Sequence, residues 1–179
     1  DHNTSEKYYF KSNESLPKPK IVRKREKGII YSVSSWGGYF YIHTNKGAED
    51  FKIERSTDIE ASKWEVFIPA KNETMIGGLT FLKNWIIRSE LNNALDKIFV
   101  RDINSNKEEE LIFTDEEVYD GSISHTQKDR NTDLIYISYS TPKTQARTYL
   151  YNIKTKEKKL VKEQVIPTGH DPKNYIVER

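Results

Sequence analysis

The sequence predicts an all-β protein, a partial β-propeller of about three and a half four-stranded antiparallel blades that one chain does not close. Three observations carry this. Runs rich in Ile, Val, Tyr and Phe recur in sets of four, and the sets start near residues 29, 75 and 118, a period of about 43–46. Turn formers separate the runs, and no long stretch follows a helical spacing.

In chain order, residues 7–11 and 20–25 read as the last two strands of an incomplete blade over 1–28. The next blade, 29–70, holds strands at 29–36, 39–45, 50–55 and 64–68. Blade 71–116 follows with 75–82, 85–90, 97–103 and 109–113, and blade 117–165 with 118–124, 134–140, 148–153 and 159–165. Gly37-Gly38, Asn45-Lys46-Gly47, Asn92-Asn93, Asn104-Ser105-Asn106 and Asp129-Arg130-Asn131 supply the positive φ that tight reversals need. Trp36, Trp64 and Trp85 are expected to pack between blades, and Gly77-Gly78 to let neighbouring backbones approach.

Composition narrows the function. The chain has 179 residues, 35% hydrophobic and 31% charged, with 12% aromatics to build a core. Twenty-nine basic against 27 acidic side chains leave a net charge of +2, too balanced for a dedicated nucleic-acid binder. No run of 18 apolar residues is present, so no membrane partner is expected, and the absence of cysteine fits a cytoplasmic location. The start at Asp1, without an initiator Met, points to a segment of a longer chain.

The search for chemistry assigns no catalytic, cofactor-binding or metal-binding residue, and no substrate-binding residue is identifiable. There is no G-x-S-x-G to present a nucleophilic serine, and His2, His43, His125 and His170 lack metal-site spacing. Asp102-x-Asn104-x-Asn106 and Asp129-x-Asn131-x-Asp133 imitate calcium loops but lack the Gly and the bidentate Glu, so both read as turns. The basic run 18–25 and the lysines of 154–162 read as solvated outer strands, Leu160 and Val161 packing beneath the latter. The Asn-x-Ser/Thr sites at Asn3, Asn13 and Asn72 are read as chance. Glu108-Glu109-Glu110 and Asp115-Glu116-Glu117 are solvated turns or a field that steers cationic peptides.

Several stretches resemble oligopeptidase B, or protease II, of the prolyl oligopeptidase family of serine peptidases. Residues 44–52, Thr-Asn-Lys-Gly-Ala-Glu-Asp-Phe-Lys, are similar to the family's TN-x-GA-x-NFKL stretch, and Trp64-Glu65-Val66-Phe67-Ile68-Pro69 to its blade end W-x-E-V-I-P. Ser89-Glu90 with Val100-Arg101-Asp102 resembles another blade. Tyr139-Ser140-Thr141-Pro142, Tyr151-Asn152, Lys162–Val165 and 171–179 resemble its last blade and exit. The family's paired Gly before Asp-Pro is here Thr168-Gly169-His170.

The resemblance implies that 1–165 is the last part of a propeller and that 166–179 is a linker towards an α/β-hydrolase domain. That domain would carry the Ser, Asp and His triad and cleave short peptides after Lys or Arg, the propeller gating access by size. The alternative is a non-catalytic interaction module or split-gene remnant that self-associates, two copies completing a seven-bladed ring as a homodimer.

Overall fold

The computed structural model describes residues 2–125 and 130–177. Four separate antiparallel sheets form. The first pairs β1 (Lys7–Tyr9) with β2 (Lys20–Arg23). The second runs in order through β3 (Tyr31–Trp36), β4 (Tyr39–Thr44), β5 (Lys52–Ser56) and β6 (Glu65–Ile68). The third holds β7 (Thr74–Leu82), β8 (Trp85–Asn92), β9 (Leu95–Asp102) and β10 (Glu108–Leu111). The fourth holds β11 (Asp120–His125), β12 (Leu134–Ser140), β13 (Arg147–Asn152) and β14 (Lys158–Glu163).

Each four-stranded sheet is a simple meander, the topology expected of a propeller blade. The expected order of strands holds, while several ends move for local reasons. Tyr119 lies outside β11, and its hydroxyl donates to the Asp96 carbonyl at 2.8 Å. Phe113 leaves β10 to enter the core, and Trp64 precedes β6, its indole donating to the Ala61 carbonyl at 3.1 Å.

The chain divides into two compact units, Asp1–Gly77 and Gly78–Arg179, the boundary falling within β7. In the first, Ile42, Ile53 and Ile76 are fully buried, and Tyr31, Tyr41 and Ile68 are nearly so. In the second, Leu82, Ile87, Ile98, Val100, Leu111 and Phe113 of the third sheet and its exit pack with Ile135, Ile137 and Ile153 of the fourth. Alternation puts Ile98 and Val100 on one face of β9 and Ile135 and Ile137 on one face of β12, while the neighbours Tyr41 and Ile42 are buried on opposite faces of β4. Each buried Ile, Leu, Val or Phe contributes about 1.5–3 kcal/mol by leaving water.

The hairpins β9–β10 and β13–β14 are wired alike. Asp102 Oδ1 accepts from the amides of Asn104 at 2.7 Å and Ser105 at 3.1 Å; Asn152 Oδ1 accepts from Lys154 at 2.9 Å and Thr155 at 3.1 Å. Both turns close at a residue of positive φ, Asn106 at 56° and Lys156 at 64°. Within these turns the amides of Ile103 and Ile153 donate to the carbonyls of Asn84 and Asp133, each at 2.9 Å, tying the two hairpins to the turns that enter β8 and β12.

Candidate functional site

In the second unit, a cleft of about 290 Å³ opens between β10 and the fourth sheet. Its floor is the core residues Leu111, Phe113 and Ile137, and its walls carry Glu109, Glu110, Tyr139, Tyr151, Lys156 and Lys158. The acids are already matched by cations: Glu109 pairs with Lys156, and Glu110 lies 3.8 Å from Lys97. Tyr139 stacks on Tyr149 with ring centroids 5.8 Å apart, and the Lys158 ammonium sits 4.7 Å from the Tyr149 centroid. Such a surface can hold a polar chain but offers no activated nucleophile.

Glu108, the first member of the acidic run, behaves differently. Alternation along β8 puts Arg88 and Glu90 on one inward face, where they are 3% and 4% exposed. Arg88 Nε donates to Glu90 Oε1 at 2.8 Å, and its two terminal nitrogens grip the Glu108 carboxylate at 2.8 and 3.0 Å. Arg101 adds a 3.0 Å bond to Glu108, and the Arg88 guanidinium lies 4.6 Å from the Phe99 ring centroid. Burial opposes ionisation of Glu108, but the hydrogen bond from Arg88 and the charges of Arg88 and Arg101 prevail and hold its carboxyl below the usual range. The run 108–110 is therefore an exposed strand rather than a turn, and its glutamates make four ion pairs, two of them at Glu108, so it is not a free steering field.

In the first unit, a groove of about 580 Å³ lies between β1 and β3, with Phe10, Val33, Phe40 and Ile59 among its walls. The Tyr31 hydroxyl accepts from the amides of Lys7 at 3.0 Å and Arg23 at 3.2 Å and donates to the Arg23 carbonyl at 2.8 Å. It fills the register shift between Lys7 and Tyr8, where the β1–β2 ladder is interrupted.

The other residues singled out by sequence are dispersed. His43 Nε2 lies 2.6 Å from the Ile76 carbonyl, and its ring stacks on Phe51; His170 Nε2 lies 2.6 Å from the Lys143 carbonyl, and its ring stacks on Tyr175. His2 is exposed, while the His125 side chain and Asp129 lie outside the described residues. Asp133 accepts the Trp85 indole proton at 2.7 Å, so Trp85 bridges two sheets as expected. Glu116 takes the Thr144 hydroxyl at 2.9 Å, leaving Asp115 and Glu117 exposed.

Of the basic run, Lys20 pairs with Glu60 at 2.8 Å and Arg23 with Glu54 at 2.9 Å, and Arg25 lies 3.8 Å from Glu6. Burial opposes ionisation of Glu54 too, and hydrogen bonds from Arg23 and Lys52 outweigh it, keeping its carboxyl low.

Two expectations are corrected. Leu160 and Val161 do not pack beneath the lysines: they are 46% and 53% exposed, because β14 is a sheet edge with every residue exposed. Close backbone approach is absent at Gly78, where an added Cβ meets nothing within 4 Å. The close contact is instead between Gly121 and a side chain, since an added Cβ there would stand 3.1 Å from the Phe113 ring.

Comparison with known proteins follows the same lines. The family model described as the prolyl oligopeptidase N-terminal beta-propeller domain matches residues 1–164. Oligopeptidase B from Trypanosoma brucei, solved in a closed form with covalently bound antipain, superposes with a TM-score of 0.85 at 24% identity, over 97% of this chain and 26% of that one. Oligopeptidase B from Leishmania major gives 0.83 at 19% identity, over 99% of this chain and 26% of that one. Dipeptidyl aminopeptidase BI of Pseudoxanthomonas mexicana is 29% identical over 162 residues, 89% of this chain and 22% of the relative. The chain thus spans about a quarter of the length of these relatives. The repeat, the four-stranded meanders and the match along 1–164 lead to one assignment: the chain belongs to the prolyl oligopeptidase N-terminal β-propeller domain family.

Proposed function

We propose that the chain is the gating, size-restricting propeller of an oligopeptidase B-like serine endopeptidase. The family match over 1–164 carries the reading. In it, residues 1–165 belong to the propeller and 166–179 lead to an α/β-hydrolase domain of the same polypeptide, which supplies the triad and cleaves short peptides after Lys or Arg in the cytoplasm. The propeller's contribution is steric: it admits extended peptides, excludes folded proteins and keeps water from the closed site. A T. brucei relative solved in a closed form supports a device that opens and shuts.

The test is cleavage by the intact protein of one Lys-containing sequence, presented as a free peptide and within a folded domain. Cleavage of the peptide alone supports gating; equal cleavage of both ends it.

The 29% identity to a dipeptidyl aminopeptidase favours a second reading, an exopeptidase releasing dipeptides from a free amino terminus. Mass spectrometry of products separates the two, since amino-terminal acetylation of the substrate blocks only the exopeptidase. The open groove beside β1 also leaves room for a homodimer, which light scattering detects.

A further inference from the structure

We propose that the free edge of β11 binds the extended backbone of a cationic peptide, which joins the fourth sheet as an added strand. The inference rests on the peptidase reading above and specifies where the peptide lies. β11 ends its sheet, so alternate residues turn their N–H and C=O groups away from β12. The starts of the corresponding strands are tied down. Ser5 Oγ accepts from the Tyr31 amide at 2.6 Å, and the Ile76 amide donates to the Asp50 carbonyl at 2.8 Å. Among the described residues, no comparable bond reaches 120–124.

The composition of the edge points the same way. Proteins guard exposed sheet edges with charge, and the opposite edges here do so: β14 carries Lys158, Lys159, Lys162 and Glu163, and β10 carries three glutamates. β11 has no lysine or proline along Asp-Gly-Ser-Ile-Ser-His. Gly121 closes onto Phe113, Ile123 packs towards the core, and Ser122 and Ser124 are small and exposed, so a second backbone can approach to strand spacing. Asp115, Glu117 and Asp120, all exposed, lie on or just before the strand and favour a positively charged occupant. Recognition through the main chain leaves the peptide's sequence largely free.

The test uses the full-length protein, its peptidase activity blocked by a serine-directed covalent inhibitor, and a fluorescein-labelled decapeptide of alternating Ser and Lys, verified intact by mass spectrometry. Two isomers are N-methylated at alternate residues, one on the odd and one on the even positions. The alternating sequence couples backbone parity to the side-chain face, so only one isomer loses its bonds to β11. Anisotropy is expected to show that isomer at least about tenfold weaker and the other nearly unchanged, with amide exchange slowed across 120–124. Equal weakening of both isomers, protection confined elsewhere, or pairing of 120–124 with a second copy of the chain overturns the proposal. If the unmethylated peptide binds without parity dependence, the edge fails while the peptidase reading stands; if it does not bind at all, both fall.

Discussion

Arg88 and Ile137 stand at the same place in neighbouring sheets, three residues into the second strand, and each is 3% exposed. The partner register supports the equivalence, since Trp85 pairs with Asp102 and Leu134 with Asn152, the residues that open the two matching hairpins. In the first four-stranded sheet the position is Ile42, completely buried. One architecture therefore accepts hydrocarbon twice and a guanidinium once, provided the latter brings Glu90 and Glu108 with it. The repeat specifies burial; the local partners specify chemistry.

The comparison can be broken most severely by leaving the acids without their cation. Arg88→Met is expected to lower stability by about 3–5 kcal/mol, because Glu90 stays buried without its close cation. Copying the first sheet with Arg88→Ile and Glu90→Thr, which reproduces Ile42 and Thr44, is expected to recover most of that loss, as Glu108 retains Arg101. Urea midpoints of the intact protein measure both.

The pH dependence sharpens the same contrast. Because the folded Glu108 carboxyl ionises below its ordinary value of 4.5, its contribution is complete above that value and is lost as pH falls through the lower, folded one. The gap between wild type and Arg88→Met is expected to narrow on that acid limb, and a constant gap would remove Glu108 from the account.

Smaller effects follow on the hydrocarbon side. Ile137→Val is expected to cost about 0.5–1.5 kcal/mol, the usual loss of one buried methylene. Asp102→Ala and Asn152→Ala remove matched turn bonds and are expected to cost about 0.5–1.5 kcal/mol each, equally within error. A large inequality between them would show that the hairpins share geometry but not energetics. Leu160→Ser on exposed β14 is expected to stay within about 0.5 kcal/mol.

Much of the fold was legible because strand periodicity and turn chemistry repeat. The four-strand super-period located every sheet, including the pair β1 and β2. The reading was weaker where a neighbouring sheet decides. Leu160 and Val161 look like core residues in one dimension, and only the edge position of β14 explains their exposure. Gly77-Gly78 outshone the single Gly121, though the constraint at Gly121 comes from Phe113, a contact that spacing does not reveal. The Arg88 cluster left one usable signal, opposite charges two apart between apolar residues on a strand, which alternation places on one buried face. The free edge of β11 left a fainter one, the absence of the lysines and clustered charges that the outer strands β10 and β14 possess.

The indole of Trp85 makes the molecule its own optical reporter. Its ring lies against the core of the second unit, while its nitrogen is bonded to Asp133 of the turn entering β12. Any movement that parts the third and fourth sheets exchanges that carboxylate for water and changes the polarity around the chromophore. With every other tryptophan of the full-length protein replaced by Phe, Trp36 and Trp64 among them, the emission of this one ring would follow the parting of two blades in real time, without an attached dye.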